Sequence, residues 1–155
     1  KNIIVADINN KKKDIAKSFG IKNFFNLNKK NDYLFLKNKY SKKIDICFDN
    51  SGKINSIHFG ISMLKNTGKL YFTSHPPIKD RLVIDPHELI KGKKIFGSWG
   101  GGCKPDRDIP KYAKLLGKNT FWTKHLKSDI YDFNNINKAI RDFKKGKVLR
   151  PIIKF

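Results

Sequence analysis

Asn2-Ile3-Ile4-Val5-Ala6-Asp7-Ile8-Asn9 is the stretch on which the fold turns. Residues 2–6 form a short apolar run, rich in β-branched side chains, that reads as a buried parallel strand ending on an acidic group. Asn9 stands where a helix cap belongs. Ile15, Ala16 and Phe19 share one face of the helix that follows, and Gly20 is its stop. Lys11, Lys12 and Lys13 fill the first turn, where the positive end of the helix dipole disfavours cations by about 0.3–1 kcal/mol each. Either a compositional bias toward lysine or an anion bound nearby accounts for them.

The same alternation continues downstream. Asn23-Phe24-Phe25-Asn26 is a short strand, whereas residues 27–43, Lys/Asn-rich around Tyr33, Leu34, Phe35 and Leu36, support no more than a possible helix. Residues 44–48 read as a second buried strand, with Cys47 as a small core residue, and Asp49-Asn50-Ser51-Gly52 follows. Ile54, Ile57, Ile61 and Leu64 recur at helical spacing. Asn66-Thr67-Gly68 is expected to end that helix, with a strand over 69–73 stopped by Pro76-Pro77. Residues 94–98 form a further strand, and glycines 100–102 lead into a helix near 106–116. Trp122 lies in the next connection. Ile136, Ala139, Ile140 and Phe143 mark a last amphipathic helix stopped by Gly146, and residues 151–155 a terminal strand. Strands alternating with helices of this size make a parallel α/β sheet in one domain.

The net charge of +21 raises the question of a nucleic-acid partner. Two observations argue against it. Only four of the 34 basic residues are Arg (81, 107, 141 and 150), although Arg is favoured for bidentate phosphate contacts. The lysines are also spread along the whole chain, as an AT-biased codon usage rich in Lys, Asn and Ile would produce. No apolar run approaches the ~20 residues of a membrane span, and no signal-peptide pattern opens the sequence. Cys47 and Cys103 have no metal-ligand spacing and read as free thiols. A cytoplasmic location is therefore expected. With no initiator Met and strand-like sequence at the outset, the chain is expected to start inside a longer protein.

Ligands of open α/β sheets collect outside the carboxyl ends of the strands. Asp7, the turn 49–52, Ser74-His75 and the loop after Ser98 fall there. An acid ending the second strand of a dinucleotide fold accepts hydrogen bonds from the adenosine ribose hydroxyls and repels a 2′-phosphate, which favours NAD over NADP. The fingerprint G-x-G-x-x-G is absent, since Trp99 interrupts Gly97-Ser98-Trp99-Gly100-Gly101-Gly102. That segment reads instead as a loop needing positive φ. His58, His75, His87 and His125 form no metal-binding spacing, and only His75 is adjacent to a candidate site.

Taken together, Ile3 to Asn9 with Ala16-Lys17-Ser18-Phe19-Gly20, Asp45 to Gly52, Gly68 to Pro77 and Gly146 to Phe155 resemble the nucleotide-binding half of the zinc-type medium-chain alcohol dehydrogenases. The resemblance implies a Rossmann-type doubly wound parallel sheet, an α/β fold in which residues 1–155 are a partial NAD(P)-binding domain. The first strand, the glycine fingerprint and the zinc-bearing catalytic domain are not among these residues. By position it implies that Asp7 binds the adenosine ribose, with Asn9 and Lys12 beside it and Ser51 on the adenine side. Thr73, Ser74 and His75 would face the nicotinamide, Lys94, Ile95 and Phe96 would hold its carboxamide through their peptide groups, and Arg150 would reach the pyrophosphate. The implied cofactor is NAD, with zinc in the catalytic domain of the parent protein and a small alcohol or aldehyde as its substrate. Residues 78–96 match the family's subunit-contact region, which implies a homodimer or homotetramer. In the family strand order 3-2-1-4-5-6 the missing strand is central, so the chain alone is expected to be inactive in hydride transfer.

Two alternatives remain at this point. A class I S-adenosylmethionine methyltransferase also uses an acid after its second strand, but it ends in an antiparallel hairpin, unlike the helix and single strand here. A basic Rossmann-like module binding a polyanion would show clustered positive charge and steep salt dependence.

Overall fold

The computed structural model describes residues 2–117, 129–148 and 150–155, so Trp122 and His125 lie outside the described residues. In chain order the elements are β1 (Ile4–Asp7), α1 (Lys12–Ser18), β2 (Asn23–Asn26), α2 (Lys30–Tyr40), β3 (Ile44–Asp49), α3 (Ile54–Met63) and β4 (Leu64–Phe72). They continue with α4 (Pro86–Ile90), β5 (Lys94–Gly97), α5 (Pro105–Gly117), β6 (Ile130–Asp132), α6 (Ile136–Lys144) and β7 (Ile152–Lys154). Two compact units result. One comprises residues 2–8 with 23–103, the other residues 9–22 with 104–155. Every strand pairing is parallel: β1 with β2, β3-β4-β5 in that order, and β6 with β7. Among the described residues β1 and β3 do not pair with each other, a break at the place the 3-2-1-4-5-6 order gives to its first strand.

In the first unit the core forms where α3 crosses β3 and β4. Ile57, Leu64 and Leu70 are fully buried, joined by Ile61. Each such side chain contributes about 1.5–3 kcal/mol relative to exposure. Gly60 permits the close approach, since a Cβ there would stand 2.7 Å from Leu70 Cδ1 and 3.0 Å from Cys47 Sγ. Cys47 is half-buried against this core, and burial, with the Asp49 charge second, pushes its thiol up to about 11.

The opposite face of the same sheet carries a ladder of rings. Phe48, Tyr71 and Phe96 occupy one register line across β3, β4 and β5, with centroid separations of 5.3 and 4.9 Å. Phe48 is 68% exposed and Ile46 52% exposed, which corrects the expectation of a strand buried on both faces. The pleat explains the split, because alternate residues point to opposite faces and only one face meets α3.

Two boundaries also differ from expectation. Asn66-Thr67-Gly68 does not end α3; the helix stops at Met63, and Leu64 turns directly into extended backbone as the first residue of β4. Leu64 pairs with Ile44 and Lys69 with Ile46, so residues 65–68 bulge from the ladder. Gly68 is needed there, as a Cβ would lie 2.9 Å from Ile44 O. Asn9 does not cap α1 directly. Lys11 holds the cap position, and Asn9 Oδ1 accepts from Lys11 N at 3.0 Å in the turn before it.

In the second unit α1 ends as expected. Gly20 takes φ +75°, Ile21 N donates to Ala16 O at 3.0 Å and Gly20 N to Lys17 O at 2.9 Å, the double bond pattern that closes a helix on a left-handed glycine. Strands β6 and β7 pair beside α6, where Ala139 is buried and Tyr131 Oη donates to Asp142 Oδ2 at 3.2 Å. The short strand β6 and helix α4 carry too few periodic residues to be read from sequence. No helix among the described residues is long and apolar enough to cross a membrane.

Candidate cofactor site

Asp7 closes β1 opposite Asn26, the last residue of β2, and its carbonyl accepts from Leu27 N at 3.1 Å. The neighbouring turn is held from within: Asn26 N donates to Asp32 Oδ2 at 2.9 Å and Asn26 Oδ1 accepts from Asn28 N at 3.0 Å. The half-buried Asp7 therefore sits at a strand end whose surroundings are ordered by side-chain bonds.

Asp49, at the carboxyl end of β3, is buried. Its carboxylate accepts from Ser51 N at 3.0 Å, from Ser51 Oγ at 3.0 Å and from Ser56 Oγ at 2.5 Å. The Ser51 hydroxyl is thus turned toward Asp49. Gly52, at φ +67°, lies so near the end of β4 that a Cβ would stand 3.3 Å from His75 O.

At the end of β4, Thr73 N donates to Asp49 O at 3.0 Å and Thr73 Oγ1 donates to Asn50 Oδ1 at 2.5 Å. The His75 ring meets Trp99 edge-on at 4.6 Å, and Trp99 is 83% exposed. Ser98 N donates to Phe72 O at 3.0 Å, extending the ladder one step past β5. Gly100, Gly101 and Gly102 all have positive φ, in keeping with the reading of this loop from its glycines.

The structure thus gathers Ser51, Thr73, Ser74 and His75 at the carboxyl ends of β3 and β4. It does not bring Lys94 to them, because Lys94 opens β5 and pairs with Lys69, four residues before Thr73. Ile95 packs toward the core and Phe96 stacks on Tyr71. Asn9, Lys12 and Arg150 belong to the second unit. Asn9 O accepts from Lys12 N at 3.1 Å, and Arg150 is exposed just before β7. The pairings of Asn50 with Thr73 and of His75 with Trp99 had no signal in the sequence, since each joins residues more than twenty positions apart. His58 is half-buried on α3, and His87 Nδ1 lies 3.2 Å from Asp85 Oδ1. Among the described residues no three His, Cys, Asp or Glu side chains converge to hold a metal, so a zinc site is not assigned to them.

Parallel strands joined by helices, an acid at the end of β1 and glycine-containing turns at the carboxyl ends of the strands define a Rossmann-like α/β protein. The whole-chain resemblance extends to solved structures. Benzyl alcohol dehydrogenase from Acinetobacter calcoaceticus superposes with a TM-score of 0.85 at 27% identity, over 99% of this chain and 42% of that one. The family model described as zinc-binding dehydrogenase matches residues 2–118, and the chain belongs to that family. A probable S-(hydroxymethyl)glutathione dehydrogenase of Schizosaccharomyces pombe is 27% identical over 97% of this chain and 40% of its own length. A short-chain alcohol dehydrogenase from E. coli CFT073, solved in complex with NADH, shares the fold, with a TM-score of 0.75 at 18% identity over 93% of this chain and 41% of that one. The chain spans about two fifths of the length of these proteins.

Proposed function

We propose that these residues hold NAD for an alcohol dehydrogenase, with the carboxylate of Asp7 selecting NAD over NADP. The observation that carries this reading is Asp7 itself, the acid that closes β1 in a chain of the zinc-binding dehydrogenase family. An ionised carboxylate accepts hydrogen bonds from the two ribose hydroxyls and repels a phosphate at the 2′ position. The residues fit such a cofactor in a second respect. Gly100, Gly101 and Gly102 leave the loop after β5 without bulk that would bar a flat ring or a pyrophosphate.

Within this reading Thr73 to His75, with the peptide groups at Phe96 to Ser98, border the nicotinamide, and Ser51 borders the adenine side. Lys94 and Ile95 take supporting positions in β5. For Asn9 and Lys12, which belong to the second unit, the family resemblance implies a role toward the adenosine ribose, and for Arg150 a role toward the pyrophosphate. When bound, the nicotinamide supplies the hydride acceptor; the chain's part is to orient it. The presence of NADH in the E. coli neighbour supports the choice of cofactor. Oxidation of a small alcohol is proposed for the whole protein, as is assembly through residues 78–96, where Ile78, Val83 and Ile90 are exposed.

Calorimetric titration of NAD, NADP and S-adenosylmethionine into the chain at two salt concentrations tests the reading. NAD should bind in preference to NADP, and Asp7→Ala should weaken NAD on the order of 10–100-fold, the worth of one or two charge-assisted bonds. NADP should lose little in the same variant. Preferential binding of S-adenosylmethionine, or equal affinity for NAD in both proteins, would refute the assignment.

A further inference from the structure

Helix α2 turns apolar side chains both ways. Leu36 is buried, whereas the adjacent Leu34 and Phe35 are exposed on its outer side. Lysines surround them. Six of the residues 29–43 are Lys (29, 30, 37, 39, 42 and 43), all exposed, and one, Asp32, is acidic. On a helix, Lys30 and Lys37 stand one turn before and one turn after Leu34, and Lys39 stands one turn after Phe35. Asp32 is half-buried and turned to the end of β2, where its Oδ2 accepts from Asn26 N at 2.9 Å. A compositional bias toward lysine accounts for charge anywhere on the surface. It does not account for two neighbouring large apolar side chains left outside within that charge.

The chemistry of the patch selects its partner. Every cation in it is Lys, a compact charge that suits a diffuse anionic surface better than the bidentate contacts for which Arg is favoured. The Phe35 ring stacks on Phe25 at 5.6 Å, and Lys39 Nζ lies over it at 5.2 Å from the centroid. Those contacts engage the ring faces that a nucleobase needs for stacking. Leu34, at the middle of the lysines, offers nothing to a base or a phosphate. An aliphatic side chain ringed by long flexible cations is instead the arrangement that enters a lipid interface, the lysine stems lying along apolar surface while their charges reach the headgroups.

We propose that the outer side of α2, with the turn after it, is a peripheral contact for an anionic lipid surface. Leu34 and Phe35 enter the boundary between headgroups and acyl chains, and Lys30, Lys37, Lys39 and Lys42 meet the negative headgroups. The assignment is independent of the NAD reading, since none of these side chains belongs to the strand ends to which the cofactor is assigned.

The test is cosedimentation of the chain with vesicles of phosphatidylcholine alone and of phosphatidylcholine with about one third phosphatidylserine. Wild type should bind the second and not the first, and should weaken as salt rises from about 0.1 to about 0.5 M. Lys30→Gln with Lys37→Gln should weaken binding about 25-fold, or about fivefold for each charge removed. Leu34→Gln, at unchanged charge, should weaken it about fivefold. Lys17→Gln with Lys22→Gln removes the same charge elsewhere and should cost less than about threefold. Thermal melting by circular dichroism checks that each variant, altered only at exposed side chains, keeps its fold. Equal losses from the two lysine pairs would overturn the assignment, because net charge alone would then drive binding. Undiminished binding by Leu34→Gln would overturn it too, as would wild type that ignores phosphatidylserine. Binding to poly(U) that is tighter than to vesicles and insensitive to Leu34→Gln would assign this face to nucleic acid instead.

Discussion

Replacing Lys93 with methionine asks how much one buried ion pair contributes to seating α4 and β5 against α3. The Lys93 side chain is 2% exposed and that of Glu88 25%. Lys93 Nζ donates to the Glu88 carboxylate and, at 3.0 Å, to Ile61 O. Methionine keeps the apolar stem but leaves a carboxylate and a buried carbonyl without their donor. Breaking a buried pair costs about 3–5 kcal/mol, and an orphaned carbonyl alone about 1–3 kcal/mol. Glu88 retains a quarter of its surface and can turn toward water, so the loss should be about 2–4 kcal/mol. Against a total stability of about 5–15 kcal/mol that is a large fraction. Urea unfolding followed by circular dichroism should show a lower midpoint at unchanged slope. Adding Glu88→Met to Lys93→Met should restore the part of the loss that comes from the stranded carboxylate, while the Ile61 carbonyl stays without its donor.

The pair also sets a pH dependence. The hydrogen bond from Lys93 holds the Glu88 carboxyl below its ordinary range, with the Lys93 charge adding to the effect. Its folded value therefore lies under the unfolded one of about 4.3. The stabilisation is complete above that pH and is lost as pH falls through the lower, folded value. Lys93→Met should abolish this contribution to the acid slope. A single variant costing under about 1 kcal/mol, or a double variant no more stable than the single, would refute the argument.

Two further outcomes follow from the packing of α3. Gly60→Ala gains about 1 kcal/mol of helix propensity but places a methyl 2.7 Å from Leu70 Cδ1 in a fully buried setting, which costs about 1–3 kcal/mol. A net loss in urea unfolding is expected, and a stabilised variant would mean that α3 does not lie this close to β3 and β4. Titration of the native chain with a disulfide reagent at pH 8 should label the exposed Cys103 quickly and Cys47 slowly. With its thiol pushed up to about 11 by burial, Cys47 is ionised in roughly one molecule in a thousand at that pH. Both thiols should react in urea; two fast thiols in the native chain would contradict the burial of Cys47.

Much of the fold was legible along the chain because its signals are local. The β-branched run before Asp7, the helical spacing of Ile54, Ile57 and Ile61, and the left-handed glycines at 20 and 146 each act within a few residues. Where those signals fell short, a distant partner decided. Asn66-Thr67-Gly68 has the composition of a helix stop, yet Leu64 is drawn into β4 by its pairing with Ile44, and the glycine serves a bulge. Ile46 and Phe48 look like core residues, but only the face turned to α3 is covered. The candidate site divides in the same way. Asp7 was readable because an acid at a strand end is a one-dimensional feature, and the turn at 49–52 because its composition marks it. That Lys94 opens its strand and Ser98 lies past its end depends on the β4–β5 register. That Asn50 meets Thr73, and His75 meets Trp99, depends on which strands are neighbours. Sequence by itself determined the order of the longer strands and helices, though not α4 or β6, together with the acid at the end of β1 and the family. Tertiary structure decided which side chains share a strand end, because adjacency in a parallel sheet is set by crossovers and pairing register between residues far apart in the chain.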